Sequence, residues 1–305
     1  GESLEWVTYA FDRYDPTLGW RPAPNFSSST VRTNAQGIRA DRDISRARTP
    51  GRGRIVALGD SYTWGEEVAN DETYPAQLEK ALPDTDVLNF GVHGYGIDQA
   101  TLRLRDEALA FVPDLVILGF IEDDVARDAL TFRSFAKPRF ELQDRALRLT
   151  HVPVPTPELV LAETQALPHL YLSALARLAM DDLLDRTRFR PIEARESWRV
   201  TEALFDEDKR LCEAAGARFV LAYFPSQVDV QVAPAERLAA DWAERAGSMF
   251  VDLRPAFAAL PETEWRAQYR GVHWSPAGNR RVSQLLRDEI VQRKLLPASP
   301  APSHP

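Results

Sequence analysis

The 305 residues carry 37 basic against 45 acidic side chains, a formal net charge of −8, so the chain offers no cationic footprint for DNA or RNA and no nucleic acid partner is expected. One cysteine, Cys212, excludes an internal disulfide and a cysteine-rich zinc site, and no run of about 18 apolar residues marks a membrane span. The amino-terminal GESLEW lacks the basic and apolar regions of a signal peptide, and the length suits one large α/β domain with appendages.

In residues 1–53, Gly, Pro and Asn punctuate short β-prone pieces such as DPTLGWRPAPNF and VRTNAQGIRADRD. This pattern predicts a β-rich extension packed on the main domain, with Trp20 and Phe26 as docking anchors. Ile55, Val56, Ala57 and Leu58 read as a short buried strand, broken by Gly59, Asp60 and Ser61 at its carboxyl end, where open α/β sheets place their ligands. Residues 67–82 predict a helix, with Tyr74, Leu78 and Leu82 on one face and Pro83 as its stop. A strand over 87–90 leads into the glycine-rich GVHGYG, then a helix over 99–111 and a strand over 114–119. Such alternation predicts right-handed βαβ units and a parallel sheet.

The alternation lapses over 127–191, which reads as an inserted cap-like segment that borders the site or forms a packing surface. Within it RFELQDRALRLTHV suits a hairpin and residues 159–184 a helix. The pattern resumes with a helix over 193–215, a strand over 218–225, a helix over 235–246, a strand over 249–251 and a last helix after HWSPAGN. Residues 54–296 are thus expected to form the main domain, and PASPAPSHP (297–305) a disordered tail.

Each strand ends in polar or glycine residues: Gly59, Asp60 and Ser61; Asn89 with Gly91 and Gly94; Glu122, Asp123 and Asp124. A parallel sheet gathers such ends on one edge, which would bring Ser61 to His273 of the final loop. Serine needs a base to act as a nucleophile, and His273 is the one of five histidines in a Pro-flanked loop before a terminal helix. His93, beside the glycine loop, is the second candidate. Asp60 and Asp124 also suit helix N-caps, and Arg270 suits a solvated position. Tyr62, Trp64, Tyr95 and Trp274 flank the same places, where they would stack on a sugar, enclose an acyl chain, or simply pack.

GDSYTWG, NFGVHGYG, LGFIEDD and GVHWSPAGN resemble, in order, the four blocks of the SGNH or GDSL hydrolases over about residues 54–296. VRTNAQGIRADRD is similar to what precedes the serine block in a bacterial subgroup that is often exported or membrane-anchored. The resemblance implies an extracytoplasmic or anchored setting for the full-length protein. It also implies a flavodoxin-like three-layer α/β/α sandwich with a five-stranded parallel sheet in the order 2-1-3-4-5. Ser61 would be the nucleophile and His273 the general base, with the backbone N–H groups of Ser61 and Gly94 in the oxyanion hole.

Two positions depart from that pattern. Asp123 stands where the family has an asparagine that donates to the oxyanion, and an ionised carboxylate has acceptors only. Loss of one such donor costs about 2.7–4 kcal/mol of barrier lowering. The triad acid is usually an aspartate two or three residues before the histidine, where Gly271 and Arg270 stand. Arg270 there would weaken His273 as a base by like-charge repulsion, or would bind an anionic group of a substrate.

Three readings follow. A protonated Asp123 in a partly dry cleft donates, with a Ser61–His273 dyad at work. Alternatively, Asp60, Asp123, Asp124 and His273 hold a hard cation, or the chain binds a glycan or acyl group without turning it over. The expected activity is hydrolysis of a small-molecule, glycan or lipid ester through an acyl-serine. An O-acyltransferase using the same site is the alternative enzyme. No cofactor or resident metal is expected.

Overall fold

A computed structural model of the chain describes residues 11–166, 196–227 and 234–297. The described chain opens with an antiparallel hairpin of β1 (Asp12–Asp15) and β2 (Gly19–Pro22). The Asp15 carboxylate closes its turn by accepting the N–H groups of Thr17 and Leu18 at 2.8 and 2.9 Å. Trp20 on β2 is buried, its indole donating to the His93 carbonyl at 3.1 Å while the Tyr95 hydroxyl donates to the Trp20 carbonyl at 2.5 Å. Trp20 therefore ties β2 to the glycine-rich turn that carries His93 and Tyr95. Phe26 is half-buried, its ring edge-on to Phe11.

The main sheet consists of β3 (Gly53–Leu58), β4 (Thr85–Asn89), β5 (Leu115–Phe120), and, after an antiparallel hairpin of β6 (Arg139–Gln143) and β7 (Ala146–Thr150), β8 (Arg218–Tyr223) and β9 (Met249–Asp252). Its five strands are parallel in the order β4-β3-β5-β8-β9, the 2-1-3-4-5 order expected. They read as unbroken apolar runs because both faces are covered. On one face Val56 and Leu58 pack against α3 (Ile97–Asp106) and the helices Glu196–Ala214 and Pro234–Ala246. On the other, Ile55 and Ala57 meet Tyr74 and Leu78 of α2 (Tyr74–Ala81) and Val282, Leu286 and Ile290 of the last helix, Pro276–Gln292.

The helix predicted over 67–82 is broken. A single turn, α1 (Ser61–Trp64), stops at Gly65 with φ +86°, Glu67 has φ +69°, and a 3₁₀ turn at Asn70–Glu72 precedes α2. Residues 64–70 give their polar groups to Arg39 instead of to a helix: its guanidinium donates to the carbonyls of Trp64, Gly65 and Val68 and to the Asn70 side chain. The predicted hairpin forms, turning through Asp144 and Arg145 in the left-handed region. Of the helix predicted over 159–184, Pro157–Ala166 is helical, and residues 167–184 lie outside the described residues. So do residues 298–305 of the tail. Among the described residues no helix is long and apolar enough to cross a membrane.

Candidate active site

β3 ends at Leu58, and the chain turns sharply into α1. Gly59 has φ +146°, and a Cβ there would fall 2.4 Å from the Gly119 carbonyl oxygen and 2.5 Å from the Thr63 hydroxyl, so only glycine fits. Asp60 caps α1 by accepting the Tyr62 N–H at 2.9 Å, which leaves Ser61 as the first helical residue at the sheet edge. His273 reaches it from a two-residue antiparallel pairing of β10 (Tyr269–Arg270) with β11 (His273–Trp274). Its Nε2 lies 2.9 Å from Ser61 Oγ. The histidine loop is held on both sides: the Tyr62 hydroxyl donates to the Val272 carbonyl at 2.7 Å, and Asn279 Oδ1 accepts the Tyr74 N–H at 2.9 Å.

Two glutamates unnoticed in the sequence flank the imidazole. Glu67 Oε1 lies 3.4 Å from His273 Nδ1, and Glu66 Oε2 lies 3.7 Å from Nε2. No local pattern marks them, because the partners are 206 residues apart and the segment carries a helix-like sequence. Gly65 and the glycine at 271 are the signals that this loop turns back on itself. Arg270 is exposed and directs Nη1 to the Glu67 carbonyl at 3.2 Å.

α4 (Glu122–Arg127) places Asp124 and Arg127 on one helix face at i and i+3. Arg127 Nη1 donates to Asp124 at 2.6 Å, to the Tyr95 carbonyl at 3.0 Å and to Asp60 Oδ2 at 3.2 Å. Burial alone would lower its pKa, yet the Asp124, Asp60 and Asp123 carboxylates leave it raised. Burial, with the charge of Asp60, pushes the Asp124 carboxyl well above the ordinary range against the pull of Arg127. Asp124 Oδ2 also accepts the Ile121 N–H at 3.1 Å, so it lies in the first turn of α4 and bonds back to Ile121, which holds the N-cap place that the sequence suggested for Asp124.

The cation reading is therefore corrected. Asp60 and Asp124 converge on a guanidinium, and His273 turns to Ser61. Among the described residues no group of three or more His, Cys, Asp and Glu side chains is disposed to hold a metal. The dry cleft expected around Asp123 is absent as well: its side chain is 75% exposed at the pocket rim, 4.0 Å from Arg127.

Three of the four flanking aromatics are also corrected as substrate contacts, because Trp64, Tyr95 and Trp274 are at most 1% exposed. Trp64 packs beneath Arg39 and against Phe11, and Trp274 packs against Tyr62, Phe224 and Tyr74. Tyr62 alone of the four lines the pocket, its ring centroid 5.2 Å from that of His273. The pocket has a volume of about 330 Å³. Ser61, His273, Gly94 and Asp123 line it, and Arg133, Ser134, Ser226 and Gln227 bring further polar groups that sequence reasoning missed. His93 also borders it, but its Nε2 faces the buried Asp12 carboxylate at 2.8 Å. Burial raises the Asp12 pKa against the hydrogen bond from His93.

The model of the GDSL-like lipase/acylhydrolase family matches residues 57–281. No curated protein matches the chain. Solved structures similar to it include a lipase/acylhydrolase from Enterococcus faecalis, at 19% identity over 82% of this chain and 100% of that one, with a TM-score of 0.46. A catalytic mutant of an acetylxylan esterase from Geobacillus stearothermophilus is 16% identical over 80% of this chain and 96% of that one, with a TM-score of 0.47. A member of the lipolytic G-D-S-L family from Veillonella parvula is 12% identical over 78% and 98%, also at 0.47.

Proposed function

The chain belongs to the GDSL-like lipase/acylhydrolase family of ester-hydrolysing enzymes, and from that premise we propose that it cleaves short-chain acyl esters of a polar alcohol through an acyl-serine on Ser61. The observation that carries this reading is the 2.9 Å approach of His273 Nε2 to Ser61 Oγ, the distance a general base needs to a nucleophile. Ser61 Oγ attacks the ester carbonyl while its proton moves to Nε2. The C–O bond to the alcohol then breaks as Nε2 returns that proton to the leaving oxygen. Water, deprotonated by the same nitrogen, then attacks the acyl carbon, the bond to Ser61 Oγ breaks as Nε2 returns the proton to that oxygen, and the acid leaves.

Backbone N–H groups of Ser61 and Gly94 are the proposed oxyanion donors. Asp123, on the rim, supplies no donor and sets an unfavourable charge beside the developing oxyanion. Segment 127–191 is proposed as an insertion bordering the site, which Arg133 and Ser134 on the pocket wall support. A polar alcohol such as a sugar is favoured by Arg133, Ser134, Ser226 and Gln227. A long acyl chain would need an apolar channel, and the described lining offers only Tyr62, Ile121 and Val272.

Turnover of nitrophenyl esters of graded acyl length tests the reading. The highest kcat/KM is expected for acetyl or butyryl esters, and Ser61→Ala should lower it about 10⁴-fold or more. A preference rising with chain length would overturn the acyl assignment, and no turnover of any ester would overturn the hydrolase.

A further inference from the structure

We infer that Glu67, supplied by the loop just after the nucleophile, is the positioning residue that orients His273, in place of an acid preceding the histidine. This rests on the acyl-serine reading above. Glu67 Oε1 lies 3.4 Å from Nδ1, the ring nitrogen opposite the one that meets Ser61. A base that takes a proton on Nε2 must carry its hydrogen on Nδ1, and a carboxylate accepting that hydrogen fixes the tautomer and stabilises the imidazolium. Such contacts are commonly long before substrate is bound. Glu66 cannot serve, because its carboxylate faces Nε2.

Three features of the surroundings make room for Glu67 and hold it. Gly271 has φ +58°, and a Cβ there would fall 3.0 and 3.2 Å from the two Glu67 carboxylate oxygens. A larger residue at 271 would crowd the carboxylate. Arg39 grips the loop on either side of it through the carbonyls of Gly65 and Val68, and Arg270 donates to the carbonyl of Glu67 itself. Arg270 thus supports the substitute acid rather than opposing the base. Glu67 has φ +69°, in the left-handed region that is uncommon for a residue other than glycine, so the surrounding contacts must impose it. During the reaction Glu67 gains no proton: the hydrogen it accepts stays on Nδ1, and the Ser61 proton moves to and from Nε2.

A merely solvated ion pair would contribute little, and three variants separate the two roles. Glu67→Gln should lower kcat about 10²- to 10⁴-fold with KM changed by less than about threefold. Glu67→Asp should recover part of that loss. Arg270 pairs directly across from His273, which sets their Cβ atoms ~5 Å apart, so Glu67→Gln combined with Arg270→Asp should recover at least about tenfold over Glu67→Gln alone. In parallel, the NMR signal of the His273 Nδ1 proton should lie far downfield in the unaltered protein and move upfield in Glu67→Gln. A Glu67→Gln enzyme with near-normal kcat, beside an inactive Ser61→Ala, would overturn this inference and leave the hydrolase standing. An unaltered protein inert toward all esters would overturn the acyl-serine reading, and an Nδ1 signal indifferent to Glu67→Gln would then overturn the pairing too.

Discussion

The guanidinium of Arg39 holds the carbonyl oxygen of Gly65 at 2.6 Å, so the amino-terminal extension is fastened to the turn that follows the nucleophile. Arg39 is 5% exposed and lies over the Trp64 ring at 5.1 Å. Burial lowers its pKa to about 10, which still leaves it cationic at neutral pH. Five acceptor groups, one at Thr30 and four in the segment 64–70, share this one fork.

Replacing Arg39 should therefore damage both stability and catalysis. Arg39→Ala removes the guanidinium donor of the Val68 carbonyl and one donor each from the Trp64 and Gly65 carbonyls and Asn70 Oδ1, and hydrogen bonds to a charged group contribute about 1.5–3 kcal/mol each. A loss of about 3 kcal/mol or more is expected by denaturant unfolding, with kcat falling more than KM rises in whatever fraction stays folded. Arg39→Lys should recover little, because a point charge cannot span the fork.

Asp123→Asn should raise activity. The carboxylate is 75% exposed and only 4.0 Å from Arg127, so folding stability should change by less than about 0.5 kcal/mol. An amide at the rim removes a charge that opposes the oxyanion and adds a donor, and one well-placed donor is worth up to about 10²–10³ in kcat. An increase of a few fold or more is expected in steady-state kinetics. A decrease would show that the carboxylate has a task of its own.

Outside the pocket lining, burial raises the Asp208 carboxyl well above the ordinary 3.8, and the charges of Glu207 and Asp128 add to the rise. A raised folded-state pKa means that the native protein binds this proton more tightly than the unfolded chain does. Its stabilising contribution is full below 3.8 and is lost as pH climbs from there through the folded value, at up to about 1.4 kcal/mol per pH unit. Asp208→Asn removes the titration. The variant should match or exceed the parent's melting temperature at pH 8, and its decline as pH rises above the ordinary carboxylate range should be shallower than the parent's, the other raised carboxyls such as Asp124 still contributing.

How much of this was legible in the sequence depended on how local each signal was. The parallel sheet and the meeting of Ser61 with His273 could be read because each strand announces itself as an apolar run ended by glycine or a polar residue, and a parallel sheet gathers those ends on one edge, whereas the strand order came only from the resemblance of the four ordered blocks to the SGNH hydrolases. Glu67 and Arg127 were missed for the opposite reason. Glu67 becomes significant only when a loop 206 residues later folds over it, and Arg127 only when α4 turns it toward Asp60 beside the serine. The aromatics misled because Trp64 and Trp274 adjoin the site in sequence while their rings point inward. Adjacency along a strand end does not say which face a side chain takes. The helix read over 67–82 failed in its first residues because Arg39, about 30 residues earlier, takes the Val68 carbonyl and the Asn70 side chain.

The most direct measurement of the central claim is covalent labelling by a fluorophosphonate, mapped by mass spectrometry. The account predicts one adduct, on Ser61, absent in Ser61→Ala and slowed in His273→Ala. An adduct on another residue, or none on protein shown to be folded, would contradict it.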